Sequence, residues 1–471
     1  MMLPILPLGF SLIVGIILEI IFPKAENKRG LLWLQALACL VGLVLLFLGK
    51  AIDITALGTL LSINPLSLYF QSLFLFLGVL VFLLSDQYLK RLSMAVSGEL
   101  PILLGLIVMA LYVLTLSNDL ILTWVLFELI SIILYFCVGF FKNEATSREA
   151  SLKYFSQGVF ASGFLTLGIA LLYPFTGSFS FTQIAVAVAG LTVIPPVLSL
   201  AVFLMLIALV FKLAVVPLHV WVPDVYTGTI TPLTAFMATA VKSMAVYLIL
   251  FVGFVVLGPI SKSWSGLLQV LVFATLLGGS ILALTQTDFK RLLAYSSIVN
   301  AGYLLLGMLS FDLAVPATWS AIAFFLVSYC AATLLVFYCV VVLELDLGTA
   351  ISGYRGLWQR SPFLSIGIAV GLLSLTGFPF LAGFVAKVYL FVQAAASGEV
   401  LLVFCGLAVT VVSIYYYLLP LIEIFFKEPV SHAPLAKPGF VAGTVITILM
   451  VFVLLAGLGA APVLALLTNL H

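Results

Sequence analysis

Residues 199–228 read SLAVFLMLIALVFKLAVVPLHVWVPDVYTG. An apolar run carries Lys212 near its end, with nothing acidic beside it in sequence, and Pro217, His219, Pro223 and Asp224 follow. If a helix continued past Lys212, His219 would fall seven residues on, on the same face. The two prolines remove backbone donors just where that helix would go on. An ammonium group in an apolar run, with the chain interrupted just beyond it, is the feature that the rest of the sequence has to explain.

The whole chain sets the solvent for that lysine. Of 471 residues, 64% are hydrophobic and only 8% charged, with a mean hydropathy of +1.35. Soluble domains carry about 25% charged residues, and a water-soluble core cannot absorb so much apolar sequence. Apolar runs long enough to cross a bilayer as helices recur along the chain. Strict alternation is absent, which argues against a membrane β-barrel. The sequence therefore reads as an all-α polytopic membrane protein. A net charge of +2 offers no basic surface for nucleic acid. The five cysteines, Cys39, Cys137, Cys330, Cys339 and Cys405, all lie in apolar segments without a CxxC pair, and read as small buried hydrophobes. The N-terminal MMLPILPLGF has no basic leader, so it reads as a first span and not a cleaved signal.

Fourteen spans are expected, at roughly 3–22, 31–49, 65–85, 99–117, 119–141, 151–173, 195–217, 230–257, 265–285, 292–310, 316–343, 362–394, 399–425 and 440–465, joined by short loops. The loops after spans 1, 3, 5, 9, 11 and 13 hold Lys24, Lys28, Arg29, Lys90, Arg91, Lys142, Arg148, Lys290, Arg291, Arg355, Arg360, Lys427 and Lys437, whereas the opposite loops hold only Lys50 and Lys262. Basic loops stay on the inner side, so both termini are expected outside.

The remaining lysines lie in or at the edge of spans. Lys153 opens the sixth (EASLKYFSQG), Lys212 is deep in the seventh, Lys242 lies in TAFMATAVKSMAVYLIL and Lys387 in GFPFLAGFVAKVYLFV; Glu128 joins them in LTWVLFELISIILYF. A charge at the centre of a spanning helix costs about 2.5–3.5 kcal/mol or more. Lys153, near a span end, can instead snorkel to the interface. Burial lowers a lysine pKa and a neighbouring carboxylate raises it, so a row of lysines with a glutamate suits a proton relay. His219 is the only histidine in the spanning region, since His432 lies in an inner loop and His471 is terminal; its place beside Lys212 and the break suits a proton shuttle. Asp224 caps the chain entering span eight or serves an inner-side proton entrance. No second histidine or cysteine has metal-ligand spacing. A second break is expected in span twelve, where SLTGFPFLAGF puts Gly377 and Pro379 before Lys387. Interrupted helices at corresponding places mark transporters built from inverted repeats. Two five-helix repeats, spans 4–8 and 9–13, would put the breaks of spans 7 and 12 in register. The expected segments are 1–98 (three helices), 99–257 and 258–425 (the repeats) and 426–471 (a last helix).

The stretch FKLAVVPLHVWVPDVYTGTITPLTAFMATAVKSMA resembles the broken seventh helix, loop and eighth helix of the antiporter-like subunits of respiratory complex I. TDFKRLLAYSSIVNAGYLLLGML, EASLKYFSQGVFASGFLTLGIALLY and SLTGFPFLAGFVAKVYLF are similar to that family's other membrane segments, so the likeness covers about residues 100 to 425. PDVY at 223–226 and the lysine in span twelve look most like the branch called subunit N or subunit 2, which has a chloroplast-type form. TGTITP at 227–232 departs from the family's usual EGAPTP. The resemblance implies roles: Glu128 and Lys212 as carboxylate–lysine partners, Lys242 as the central lysine, Lys387 as the residue leading to the outer exit, and Lys153 and His219 tuning or hydrating the relay.

It also implies a proton-translocating subunit of an NADH-quinone oxidoreductase or related enzyme, with no redox centre in this chain. FMN or another donor-site cofactor, iron–sulfur clusters and quinone would lie elsewhere in the complex. The partners would be an antiporter-like M subunit, small K- and J-type subunits and a peripheral redox arm, in a bacterial or archaeal plasma membrane or a thylakoid-type membrane. The alternatives are a subunit of a multi-subunit cation/proton antiporter, a membrane subunit of a ferredoxin-, F420H2- or hydrogen-linked relative, or a passive scaffold whose lysines bind lipid headgroups or partner helices.

Overall fold

The computed structural model describes residues 3–22, 28–49, 60–92, 98–431 and 433–469; Lys24, Lys50, His432 and His471 lie outside them. Among the described residues there is no extended sheet, and helices dominate. In hydrocarbon every backbone polar group must be satisfied within the protein, and a helix does this locally. The helices in chain order are α1 Leu3–Ile21, α2 Gly30–Phe47, α3 Ser67–Leu92, α4 Glu99–Leu114, α5 Leu120–Val138, α6 Ala145–Thr176, the short α7 Phe181–Ala189, α8 Pro196–Leu213, the short α9 Trp221–Gly228, α10 Thr231–Val256, α11 Lys262–Ala283, α12 Phe289–Leu309, α13 Pro316–Leu347, α14 Pro362–Thr376, α15 Ala382–Ala396, α16 Val400–Phe426, α17 Phe440–Leu458 and α18 Ala460–Asn469.

Twelve of these are long and apolar enough to cross a membrane; α4 is a shorter apolar helix, and α14 and α15 are the two halves of the broken twelfth span. Each of the fourteen expected intervals thus holds a helix or a broken pair. Helix starts are written locally: the Asp119 carboxylate accepts from the amides of Ile121 and Leu122 to cap α5, and Asp288 accepts from the Arg291 amide to cap α12.

The structure corrects the expected span bounds at three places. The seventh span stops at Leu213, one residue after Lys212, and not at Pro217, so His219 does not continue its face. The chain then runs irregularly to the separate helix α9. Lys153 does not open the sixth span, because α6 begins at Ala145 and places it two turns in. The fourteenth span ends as a helix at Leu458, and α18 follows beyond Gly459.

By packing, the chain divides into two units, one holding residues up to Val210 with Ser243–Trp264, the other Phe211–Lys242 with residues from Ser265 onward. In the first, Asn64 ties loop to helices: its side-chain amide donates to the Thr115 carbonyl at 3.0 Å and to the Tyr247 hydroxyl at 2.8 Å. In the second, α12 and α13 are almost wholly buried, and α13 packs on α12, α14, α15 and α17. Exposed Phe10, Phe47, Phe160 and Phe404 point away from the cores, as lipid- or partner-facing residues do.

The break between α14 and α15 turns on Gly377, whose φ of +91° is open to glycine and strained for other residues. A Cβ there would also stand 3.1 Å from Cδ of Lys387. Gly377→Ala should therefore destabilise the fold by about 1–2 kcal/mol, read as a lower apparent unfolding temperature in detergent. Gly163→Ala, in open space within α6, should leave it unchanged or slightly raised.

Candidate functional site

Helix ends explain where the lysines sit. The last carbonyls of a helix have no intrahelical donor and carry the negative end of its dipole. Lys387, on α15, turns back across the break and donates to the carbonyls of Leu375 at 3.1 Å and Thr376 at 2.8 Å, the end of α14. Its ammonium also lies 4.7 Å from the centre of the Tyr303 ring, a cation–π distance. The break thus makes the acceptors that hold the charge. Lys387 is 5% exposed, and among the described residues its hydrogen-bond partners are neutral.

Lys242 sits where α10 changes gauge: residues 237–241 and 249–256 are wound as π-helix, with an α-helical turn starting at Lys242 between them. Such wide turns inside a helix often mark functional sites. At 1% exposure, Lys242 donates to the Ser297 carbonyl at 2.6 Å and the Ser297 hydroxyl at 2.9 Å. Again both partners are neutral.

Lys212 is 2% exposed, one residue from the end of α8. The break after it is built tightly: Ala214 takes the left-handed conformation at φ 68°, the Trp221 indole donates to the Phe211 carbonyl, and the Val216 amide donates to the Thr275 hydroxyl at 3.1 Å. A non-glycine residue in that region costs about 1–2 kcal/mol. The other such residue among those described is Phe380, at φ 70° in the break between α14 and α15. His219 is half-buried in the segment after Ala214, and its Nδ1 has no hydrogen-bond partner among the described residues.

In the first unit, Glu128 on α5 is half-buried and accepts a hydrogen bond of 2.5 Å from the Ser162 hydroxyl of α6. Lys153 is partly exposed and pairs with Glu149 one turn earlier at 2.7 Å, the kind of surface pair that contributes little to stability. Asp224, expected to cap the chain entering span eight or to serve a proton entrance, lies instead in the first turn of α9 and pairs with Arg291 at 3.1 Å, joining α9 to α12.

The second unit brings Lys242 and Lys387 to one element. Helix α12 offers Ser297 to Lys242 and the Tyr303 ring to Lys387. Between these positions Asn300 lines a small cavity with Ser328, Tyr329, Ser374 and Lys387. Ser297, Tyr303 and Asn300 were not singled out from sequence, nor was Ser162. Their signal was present as small polar residues recurring at helical spacing inside apolar spans. Lys290 and Arg291, read from sequence as inner-loop cations, instead form the first turn of α12, and Lys290 is buried. All five cysteines are free thiols, four of them buried. Among the described residues no three His, Cys, Asp or Glu side chains cluster as a metal site.

The family model of the transmembrane subunits of NADH:quinone oxidoreductase and Mrp antiporters matches residues 117–413, which include Glu128, Lys153, Lys212, His219, Lys242 and Lys387. The chain belongs to that family. NADH-quinone oxidoreductase subunit N of Trichlorobacter lovleyi is 33% identical over 423 residues, 88% of this chain and 85% of the relative. NAD(P)H-quinone oxidoreductase subunit 2 of a Picosynechococcus species is 34% identical over 427 residues, 89% of this chain and 80% of the relative. A chain of the respiratory complex I structure from Thermus thermophilus superposes with a TM-score of 0.80 at 28% identity, over 98% of this chain and 99% of that one. Spanning helices and family together make the protein an integral, multi-pass membrane protein of the antiporter-like kind.

The break geometry is directly testable. Lys387→Met leaves the Leu375 and Thr376 carbonyls without their donor, a loss of about 1–3 kcal/mol for a buried polar group. Amide hydrogen exchange should rise across residues 376–384 and stay at its original level in α12.

Proposed function

We propose that the chain is a proton-translocating membrane-arm subunit, of the subunit N type, in a complex I-type donor:quinone oxidoreductase. Redox chemistry takes place elsewhere in that complex, on its flavin or other donor-site cofactor, iron–sulfur clusters and quinone. The observation that carries the reading is the pair Lys242 and Lys387: two almost fully buried lysines, served by neutral acceptors and both adjoining α12. A buried ammonium with no carboxylate bound to it has nothing local to fix its charge, so the field of its surroundings decides whether it holds its proton. Arginine, charged at every accessible pH, could not serve in this way.

In this reading Glu128 is the carboxylate whose charge changes first. Ser162 holds its carboxyl oriented and can follow its protonation state by rotating. Lys212 is the next proton carrier, with its charge at the negative end of α8. Lys242 receives the proton in the middle of α10, and Lys387 passes it toward the outer side while the carbonyls that end α14 stabilise its charged form. His219, with one ring nitrogen uncommitted among the described residues, and Lys153 tune the entry side. The left-handed residues Ala214 and Phe380 support treating the two breaks as corresponding points of two inverted repeats. The implied neighbours are the other membrane-arm subunits and the redox arm, in an energy-transducing plasma or thylakoid-type membrane with the termini outside.

Redox-driven proton pumping by membranes carrying Lys212→Ala, with assembly of the complex measured alongside, tests the relay. An assembled complex should lose turnover and pumping together, by about a hundredfold or more, the scale expected for removing a proton-transfer group. Normal turnover and pumping would return the lysines to a scaffold role.

A further inference from the structure

A second buried charge system lies along α12, two helical turns from Ser297, the partner of Lys242. Lys290, in the first turn of α12, donates to the Thr229 carbonyl at 2.8 Å, and its ammonium stands 3.3 Å from a carboxylate oxygen of Glu344 near the end of α13. The other Glu344 oxygen accepts from the Thr231 hydroxyl at the start of α10. The side chains of Lys290 and Glu344 are 5% and 12% exposed, whereas the neighbouring pair Arg291 and Asp224 is 38% and 36% exposed. The Arg291–Asp224 pair is therefore the more exposed of the two and the Lys290–Glu344 pair the more buried, with Glu344 the more accessible of its two members.

A buried ion pair is seldom a gain in stability over apolar packing of the same volume, so its presence asks for another reason. Its position supplies one. Lys290 and Ser297 are seven residues apart and share a face of α12, and Ser297 holds Lys242. The Tyr226 hydroxyl, on α9, is fully buried and has no hydrogen-bond partner among the described residues. Helix α9 packs on α12. A partly accessible carboxylate on α13, a buried phenol on α9, a serine on α12 and a buried lysine on α10 thus lie on helices that pack around α12.

We propose that Glu344, held by Lys290 and Thr231, is the inner-side proton-loading group for Lys242, with Tyr226 and Ser297 carrying the proton between them; this rests on the relay reading above. Glu344 takes a proton from the inner aqueous side, forming a carboxyl O–H bond. That bond breaks as a proton moves to the Tyr226 hydroxyl, which releases its own to the Ser297 hydroxyl, which in turn releases its own to the amine of Lys242. An N–H bond forms there, both hydroxyls are restored, and the carboxylate is regained opposite Lys290. No electron moves. Lys290 is a positioning residue: it holds the Glu344 side chain in place.

The experiment is Glu344→Gln in membranes carrying the complete complex, with assembly and redox-driven pumping both measured. Glutamine keeps the size of the side chain and one of its two acceptor oxygens, so it removes the titratable group while retaining part of the tie, and assembly measured alongside reports what the lost half costs. The expected result is an assembled complex whose pumping falls by about a hundredfold, with Glu344→Asp restoring more than half. Normal pumping in the assembled Glu344→Gln complex overturns the proposal. If that variant does not assemble, Tyr226→Phe decides: a similar loss supports the route, and undiminished pumping removes it. Lys242→Ala measured in parallel separates the two levels. If it pumps normally, the relay itself is wrong; if it is inactive while Glu344→Gln is normal, only the loading site is wrong.

Discussion

An ammonium group on the end carbonyls of a half-helix is the interaction on which the second unit depends. In hydrocarbon a broken helix leaves carbonyls that water cannot serve, and a buried lysine needs acceptors that an intact helix does not offer. Each defect supplies what the other lacks. Lys387 closes the end of α14, and the end of α14 makes the position of Lys387 tolerable. Gly377 is required because its left-handed turn both ends α14 and leaves room for the lysine stem. The strained Phe380 that follows is part of the same construction.

Helix α12 gives the charges a common reference. Its residues meet Lys290's partners at the first turn, Lys242 through Ser297, and Lys387 through Tyr303. Because α12 is almost wholly buried, the hydroxyls and the amide it carries cannot be satisfied by solvent and must find partners inside. Ser296 bonds the Tyr417 hydroxyl, Asn300 donates to the Ser296 carbonyl, and Tyr303 meets Thr410 at 2.8 Å. A polar spine in an apolar bundle keeps a few sites able to carry charge while the surroundings exclude it.

The two carboxylates that matter to the proposals are held differently from the lysines. Glu128 is oriented by one serine hydroxyl, and Glu344 by a threonine and a lysine. Hydroxyl partners can donate to a carboxylate or turn to accept from a carboxylic acid, so they leave both protonation states satisfied. That is the property a group must have if its proton comes and goes.

Much of this was legible in the sequence for one physical reason: hydrocarbon as solvent makes composition decisive. Runs such as SLAVFLMLIALVF could only be spanning helices, and a lysine inside one had to be explained. The breaks were legible from proline and glycine, and the family from the residues around them. What sequence could not decide was where each break falls and what each charge touches. The seventh span stops at Leu213 because Ala214 turns left-handed and Trp221 and Thr275 satisfy the freed backbone; those partners lie seven and sixty-one residues beyond Ala214. Lys290 looked like a loop cation because the residues around it are polar, and became a buried one because Glu344, fifty-four residues later, reaches it. Sequence placed the charges in the membrane, and only tertiary structure chose their partners, because a hydrogen bond is a matter of distance between groups that the chain alone does not set.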